Sequence, residues 1–217
     1  DEWLGIPQGV YMQDGDPNYY ESYSAMKATG GESTPAILMT AAETWFLRAE
    51  AALRHFTNED PKECYETGVR TSFAQWGAGD ATDYLASNKK PLDYKEMVPA
   101  SGGKDMKTLI SISPKWNASA DNEGKLEQII TQKWLACWPE SYEAWSEQRR
   151  TGYPKLFKVQ TNNSAGKIDT DAMIRRLPFS TDDADKDPIQ YKFLLQALGG
   201  ADNGGTRLWW DTGKNNF

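Results

Sequence analysis

The most informative stretch of the sequence is residues 38–76, LMTAAETWFLRAEAALRHFTNEDPKECYETGVRTSFAQW. Apolar residues in its first half recur at spacings of three and four, so they share one face of a helix from about 38 to 56. These residues are Leu38, Ala42, Phe46, Ala49, Leu53 and Phe56. The pattern predicts an amphipathic helix that buries this face against a second element.

A second helix is predicted after a short turn. Asp60 and Pro61 have the chemistry of an N-cap and a first helical residue, and Glu63 completes a capping pattern. The apolar stripe of this helix is Tyr65, Val69, Phe73 and Trp76. Two such helices joined by a tight turn form an antiparallel hairpin, slightly longer than a tetratricopeptide repeat of about 34 residues. We expect Leu53 and Val69 to be buried between the helices.

The rest of the chain is predicted to form further helices separated by long loops. Apolar residues at helical spacing predict helices within residues 122–150, with a break near Pro139, and at residues 188–198. Repeated Gly and Pro predict loops at 1–37, 77–120 and 155–187, with a helical turn at 84–85 and an extended piece at 173–177. The sequence therefore predicts an all-α, mostly helical fold with long loops, in a single domain of residues 1–217.

Charge and composition argue against two kinds of partner. The 24 Lys and Arg are outnumbered by 31 Asp and Glu, whereas nucleic-acid binding needs clustered basic residues. No apolar run approaches the roughly 20 residues of a membrane-spanning helix.

The two cysteines, Cys64 and Cys137, are expected to be buried free thiols, because unpaired cysteine is among the most often buried residue types.

The sequence predicts no catalytic residue, no metal site and no cofactor. The only histidine, His55, lies near a predicted helix end without a nucleophile motif around it, so a structural or surface role is expected. One His and two distant Cys cannot form a zinc site of the usual spacing. The acidic runs at residues 14–18 and 183–187 lack the glycine and the glutamate of a calcium loop.

Aromatic residues in the predicted loops are the candidate ligand contacts. They are Tyr11, Tyr19, Tyr20, Tyr23, Tyr84, Tyr94 and Trp116. Most should anchor their loops, but an exposed ring beside Asn or Asp also suits a sugar, which offers a C–H face and hydroxyl groups. The candidates for glycan binding are Trp116, Tyr94, Tyr19 and Tyr20. Trp116 is the first choice, because it follows Pro114 and precedes Asn117.

Seven blocks of the sequence resemble, in order, those of one known family. The blocks are AETWFLRAEAA at 42–52, YETGVRTSFAQWG at 65–77, IITQKW at 129–134, EAWSEQRRTGYP at 143–154, RRLPF at 175–179, LGGAD at 198–202 and TRLWWD at 206–211. Together they resemble the C-terminal portion of SusD/RagB-family proteins. One departure is TDDADKD at 181–187, where the family usually has an Asn-rich stretch, which leaves the conformation of this loop open.

The resemblance implies a SusD-like fold and a binding function. Members of this family are non-catalytic lipoproteins on the outer face of the outer membrane of Bacteroidetes. They cap a SusC-like TonB-dependent transporter and bind oligosaccharides, or in some members peptides, for import. The lipid anchor and further tetratricopeptide-like helices would lie in an N-terminal part that precedes this sequence. The chain is accordingly expected to be a fragment or a processed chain, because it has no initiator methionine and no signal peptide.

The aromatic residues of the matched blocks are expected to be scaffold. Trp134, Trp145, Tyr153 and Trp209 lie at helical spacing or beside Arg, where burial and cation–π contact would explain them. The tail at 206–211 is expected to dock on the core. Ligand contacts in this portion should therefore come from the loops at 10–25 and 84–117, since loops on a rigid scaffold often carry binding residues.

Two other functions stay open on sequence alone. One is a helical-hairpin scaffold that binds proteins and has no carbohydrate ligand. The other is a glycosidase, because 31 acids give many carboxylate pairs of the kind such enzymes place across a cleft. Glu140, Glu143 and Glu147 share one face of a predicted helix, but we expect them to be solvated there.

Overall fold

The structure is a computed structural model that describes residues 5–6, 9, 21, 23–24, 33–97 and 102–217. These residues contain seven helices and no strand, so the prediction of an all-α fold is confirmed. The helices are α1 (Ala41–Leu53), α2 (Pro61–Trp76), α3 (Thr82–Ala86), α4 (Asn122–Ala136), α5 (Ser141–Thr151), α6 (Thr181–Lys186) and α7 (Pro188–Leu198). None of these helices is long and apolar enough to cross a bilayer.

The first helix is shorter at both ends than the apolar pattern predicts. The Thr40 hydroxyl accepts a hydrogen bond from the Glu43 backbone N–H at 3.1 Å, which fixes the start of α1. At the other end, His55 adopts the left-handed conformation with φ of 60°, which ends the helix. Leu38 and Phe56 therefore lie outside α1 and are 89% and 78% exposed, so their assignment to the buried face was wrong.

The predicted hairpin is present and most of its inner face is buried, but Trp76, assigned to the buried stripe of α2, is 40% exposed because it lies at the helix end, so that assignment was wrong. Leu53 and Val69 are only 5% and 2% exposed, which confirms that they lie in the core. At Gly68 the two helices approach so closely that an added Cβ atom would lie 2.9 Å from the ring of Phe46. Glycine is thus required at this helical position by space and not by backbone conformation.

Replacing Gly68 by alanine is expected to destabilise the protein by about 1–2 kcal/mol. Overpacking against the buried Phe46 costs roughly 1–3 kcal/mol, and this outweighs the gain of up to about 1 kcal/mol in helix propensity. Chemical unfolding of Gly68→Ala measures the difference. Ser72→Ala, one turn further along α2, is the control and should change stability by less than about 0.5 kcal/mol.

A second substitution tests the cause of this loss. Phe46→Leu shortens the side chain that the new methyl group meets, so it should recover part of the stability when combined with Gly68→Ala. The two effects should therefore be clearly non-additive, as expected for residues in contact. A stabilised Gly68→Ala protein, or strictly additive effects, would show that the α1–α2 contact is looser than described.

The chain divides into two compact units. The first comprises Asp1–Ala25, Tyr94–Met106 and Phe157–Gly213, and the second comprises Met26–Asp93, Lys107–Leu156 and Lys214–Phe217. This division does not test whether residues 1–217 fold as one domain, and the single-domain expectation stays a prediction.

The core of the second unit lies between α1, α2 and α4. It is formed by buried apolar side chains that include Phe46, Tyr65, Leu126, Ile129 and Ile130. Cys64 and Cys137 are buried and free, as the sequence predicts. Two of the four aromatics expected to be scaffold make cation–π contacts: the Arg149 guanidinium lies 3.6 Å from the Trp145 ring, and the Lys155 ammonium lies 5.4 Å from the Tyr153 ring.

In this unit, three carboxylates surround the ammonium group of one buried lysine. Lys133 of α4 is 1% exposed, and its Nζ lies 2.8 Å from Glu143, 3.0 Å from Glu147 and 3.5 Å from Glu43. The expectation that the acidic face of α5 is solvated was therefore wrong for Glu147, which is buried. The sequence pattern showed the acids on one face but not the cation on another helix that pairs with them.

Two buried ion pairs join distant segments of the first unit. Arg175 and Asp211 are 4% and 3% exposed and form a bidentate pair, with both N···O distances 2.6 Å. Arg176 pairs with Asp202, whose carboxylate also accepts hydrogen bonds from the Tyr191 hydroxyl and the Phe179 backbone N–H.

Two predictions for the first unit were wrong, and a third is not tested by the assigned elements. Residues 181–186 form helix α6 instead of a loop, supported by the ion pair between Lys186 and Asp182 one turn apart. The extended piece expected at 173–177 is not assigned to a strand, and the Arg175 N–H there donates to the Gly204 carbonyl. Trp209 is 90% exposed and not buried, because the tail is held by the carboxylate of Asp211 and not by this ring.

Candidate functional site

A pocket of about 600 Å³ lies in the second unit, between the α1–α2 turn and the start of α4. This volume falls within the range of roughly 300–1,000 Å³ that is typical of small-ligand sites. Its lining residues include His55, Asn58, Glu59, Asp60, Lys62, Trp116, Asn122 and Lys125. The pocket thus combines one large aromatic ring with amide, cationic and carboxylate groups, and we call it the Trp116 pocket.

The Trp116 ring is half-buried, and its inner side packs against the helical core. Its centroid lies 5.2 Å from that of Tyr65, which is fully buried between the helices. The Tyr65 hydroxyl donates to the Pro114 carbonyl at 2.6 Å, which ties the loop before Trp116 to α2. A ring held in this way presents a preorganised surface, so little conformational entropy is lost when a ligand packs on it.

The same loop is also tied to α4. The buried amide of Gln128 donates to the carbonyls of Ser113 and Lys115 at 2.9 and 2.8 Å, and its oxygen accepts from the Asn117 N–H at 3.0 Å. All hydrogen-bonding atoms of this side chain are therefore used to hold the loop. Loop residues on either side of Trp116 are thereby fixed against rigid helices.

The two carboxylates of the pocket are already engaged within the fold. Arg48 donates to Glu59, with its Nε 3.0 Å from Oε1, and this hydrogen bond lowers the pKa of the Glu59 carboxyl. The Asp60 carboxylate accepts from the backbone N–H groups of Lys62 and Glu63 and caps α2. Glu59 is therefore ionised at neutral pH and unsuited to act as a general acid.

The cations of the pocket differ in how far they are engaged. Lys62 lies 3.3 Å from Glu66 in a surface ion pair. Lys125 is half-buried, and no carboxylate of the described chain lies within ion-pair distance of its ammonium group. The side chains of Asn58 and Asn122 are exposed at the pocket and make no hydrogen bond within the described residues.

Of the two predicted ligand residues that the structure describes, Trp116 lines this pocket and Tyr94 does not. Tyr94 lies in the first unit, 7% exposed, and its hydroxyl contacts that of Tyr23 at 3.1 Å and donates to Glu96 at 3.0 Å. Burial and these hydrogen bonds raise the pKa of the Tyr94 hydroxyl. Because its ring is buried, Tyr94 packs within its loop and offers no surface to a ligand. Tyr19 and Tyr20 lie outside the described residues, so the prediction for them is untested.

Sequence reasoning missed the residues that surround Trp116 in the pocket. Asn58, Asn122 and Lys125 stand in unremarkable polar stretches, and no local motif distinguishes them. They meet because the α1–α2 turn packs beside the start of α4, some 60 residues further along the chain. Only the helix packing could have revealed this juxtaposition.

The structure offers no metal centre among the residues it describes. No group of three or more His, Cys, Asp or Glu side chains there is arranged to hold an ion. The expectation of a protein without a metal or a cofactor stays a prediction, because it concerns the whole chain.

Comparison with known proteins identifies the family. A family model described as SusD-like, SusD and RagB outer membrane lipoprotein, matches residues 1–211, so the chain belongs to this family. This confirms the resemblance that the sequence blocks indicate. Among curated proteins, none matches the chain significantly.

Solved structures support the same assignment. A SusD homologue from Bacteroides vulgatus ATCC 8482 is 69% identical, with a TM-score of 0.94 over 100% of this chain and 44% of its own. A chitin-binding SusD homologue from Flavobacterium johnsoniae is 44% identical, with a TM-score of 0.78 over 83% of this chain and 37% of its own. A homologue from Bacteroides thetaiotaomicron VPI-5482 is 36% identical, with a TM-score of 0.84 over 98% and 46%. The chain thus spans less than half the length of these relatives.

Proposed function

We propose that the protein is a non-catalytic glycan-binding component of an outer-membrane uptake complex of the SusC/SusD type. The observation that carries this proposal is membership of the SusD-like family over residues 1–211. The chitin-binding homologue at 44% identity supports a carbohydrate as the ligand class. By the same reasoning, the full-length protein is a lipid-anchored partner of a SusC-like TonB-dependent transporter on the cell surface.

Within this chain, we place sugar contact at the Trp116 pocket. The half-buried ring offers a fixed flat surface for the C–H face of a sugar, and the Asn58 and Asn122 amides offer donors and acceptors for hydroxyl groups. Because Tyr94 is buried, Trp116 is the candidate that we retain from the sequence. Glu59 is held by Arg48 and Asp60 caps α2, and these structural roles agree with binding without hydrolysis.

Replacing Trp116 by alanine should weaken oligosaccharide binding by at least about tenfold, or ~1.4 kcal/mol, because truncating a central aromatic contact typically costs more than 1 kcal/mol. The measurement is calorimetry of the full-length protein with a panel of soluble oligosaccharides that includes chitin fragments. Tyr142→Ala is the matched control, since this tyrosine is 75% exposed on α5 and lies outside the pocket.

Loss of folding must be separated from loss of contact, since Trp116 also packs on the core. The double variant Asn58→Ala/Asn122→Ala changes only exposed pocket side chains, so it should weaken binding without lowering the melting temperature. Unchanged affinity in both pocket variants, for an oligosaccharide that the parent protein binds, would place the site elsewhere in the full-length protein. No binding of any oligosaccharide would argue against the carbohydrate proposal itself.

A further inference from the structure

We propose that the Trp116 pocket selects an acidic sugar, a hexuronic acid residue whose carboxylate is held by Lys125 while its ring packs on Trp116. This inference rests on the proposed function and names the substrate class of the same site. The argument starts from the polar groups of the pocket that make no hydrogen bond or ion pair within the described residues.

The unengaged groups of the pocket are rich in donors. Glu59 is paired with Arg48, and Asp60 caps α2 through one oxygen, Oδ1, so both carboxylates are at least partly engaged within the fold. Lys125 contributes up to three N–H donors and no acceptor. The amides of Asn58 and Asn122 contribute donors and acceptors equally. Lys125 thus has no carboxylate within ion-pair distance among the described residues, although Glu59 and Asp60 line the same pocket.

The partly buried position of Lys125 makes the missing ion-pair partner important for the free energy of ligand binding. Its side chain is half-buried beside Trp116 and Asn122, so a sugar seated on the ring also covers part of the ammonium group. A neutral sugar would remove water from this cation without replacing its charge partner, and desolvating an unpaired charge is unfavourable. A carboxylate at the same place forms a charge-assisted hydrogen bond, which offsets the lost hydration.

The other charged groups around the pocket do not reverse this preference. Lys62 is engaged with Glu66 at 3.3 Å but is also cationic, so it adds to the attraction of an anion. The Asp121 carboxylate accepts from the Gly124 N–H at 2.8 Å and caps α4. The negative charge of Glu59 is compensated by the Arg48 guanidinium, which lies against it.

Carboxyl reduction provides a matched pair of ligands for the test. The probes are oligogalacturonides and oligoglucuronides, each compared with its carboxyl-reduced neutral form, and binding to the full-length protein is measured by calorimetry. At least one acidic series should bind, its reduced form should bind at least about tenfold more weakly, and its affinity should fall as salt increases. Lys125→Gln should weaken binding of the acidic form about tenfold and leave that of the reduced form unchanged.

Two further variants complete the experiment. Lys115→Gln removes the same charge from an exposed residue next to Trp116 that does not line the pocket, so it should change affinity by less than about twofold. Lys125→Arg keeps the charge and should retain most of the preference. Melting temperatures of all variants should match the parent, since Lys125 makes no ion pair in the described chain.

The outcomes separate this inference from the function on which it rests. If a neutral oligosaccharide binds through Trp116 and neither acidic series does, the acidic-sugar inference is overturned while the glycan-binding proposal stands. Equal affinity for acidic and reduced forms, or an unchanged preference in Lys125→Gln, overturns it as well. If no sugar of either kind binds, both proposals fail.

Discussion

Replacing Lys133 by methionine is expected to destabilise the protein by about 3–5 kcal/mol, the cost of removing one partner from a buried ion pair. The Lys133 side chain is 1% exposed, and its ammonium group lies within 3.5 Å of Glu43, Glu143 and Glu147. Burial disfavours the charged lysine, but Glu147 and Glu143 outweigh this effect and raise the Lys133 pKa. Without the cation, two buried carboxylates and one half-buried carboxylate would repel one another with no counter-charge.

The pH dependence of Lys133→Met gives a second readout. Burial already raises the pKa of Glu43 in the parent protein, although Lys133 opposes that effect. Loss of the cation should raise the pKa of Glu43 further, and a carboxyl group whose folded-state pKa exceeds its unfolded value stabilises the fold as pH falls through the folded pKa. The deficit of Lys133→Met should therefore shrink between neutral and mildly acidic pH.

Two comparisons make the Lys133 result specific. Lys107→Met removes an 86% exposed lysine that pairs with Asp93, and it should cost less than about 1 kcal/mol. Adding Glu147→Gln to Lys133→Met removes one uncompensated charge and should recover part of the lost stability. A deficit in Lys133→Met no larger than that of Lys107→Met, with no dependence on pH, would refute the role assigned to this cluster.

Asp211→Asn should destabilise the first unit by a similar amount, about 3–5 kcal/mol, although the side chain keeps its shape. The carboxylate accepts two hydrogen bonds of 2.6 Å from the buried Arg175 and one of 2.5 Å from Arg207. An amide offers only one acceptor oxygen and no charge, so the Arg175 guanidinium would stay buried without its counter-ion. Arg207→Gln is the matched control, because Arg207 has a 42% exposed side chain and should contribute less than about 1 kcal/mol.

Hydrogen exchange can locate the effect of Asp211→Asn. Peptides from residues 157–213 should lose protection first, because they contain both partners of the ion pair. Peptides from α1, α2 and α4 should exchange as in the parent protein. Unchanged protection in residues 157–213 would mean that water or a neighbouring group replaces the carboxylate at little cost.

The sequence predicted the elements whose signals are local. The α1–α2 hairpin follows from apolar periodicity and the Asp60-Pro61 start, and both features are visible within 40 residues. The ends of α1 were misplaced because Thr40 caps the helix after Leu38, and a cap outweighs one more apolar residue. Helix α6 was missed because an Asp-rich segment is typical of a loop. The ion pair between Asp182 and Lys186, four residues apart, supports a helix there instead.

Features that depend on contacts between distant residues could not be predicted in this way. The sequence predicts a solvated Glu147, because it does not show that Lys133 of another helix pairs with this carboxylate. It predicts a buried Trp209, because it does not show that the tail is held by Asp211. In the candidate site, the sequence singled out Trp116 by its loop context. It could not single out Lys125, because nothing in the sequence places that lysine beside the ring.

The anchoring of Trp116 separates what holds the pocket from what surrounds its opening. The ring packs on Tyr65, and its loop is bonded to Gln128, both in the helical core. Thr57, Asn58 and Asn122 are instead exposed residues of a turn and a helix start. Substitutions at these three positions should leave the core untouched. If the proposed sugar contact is made at this pocket, its ligand preference can therefore change at the turn and the helix start without a loss of thermal stability.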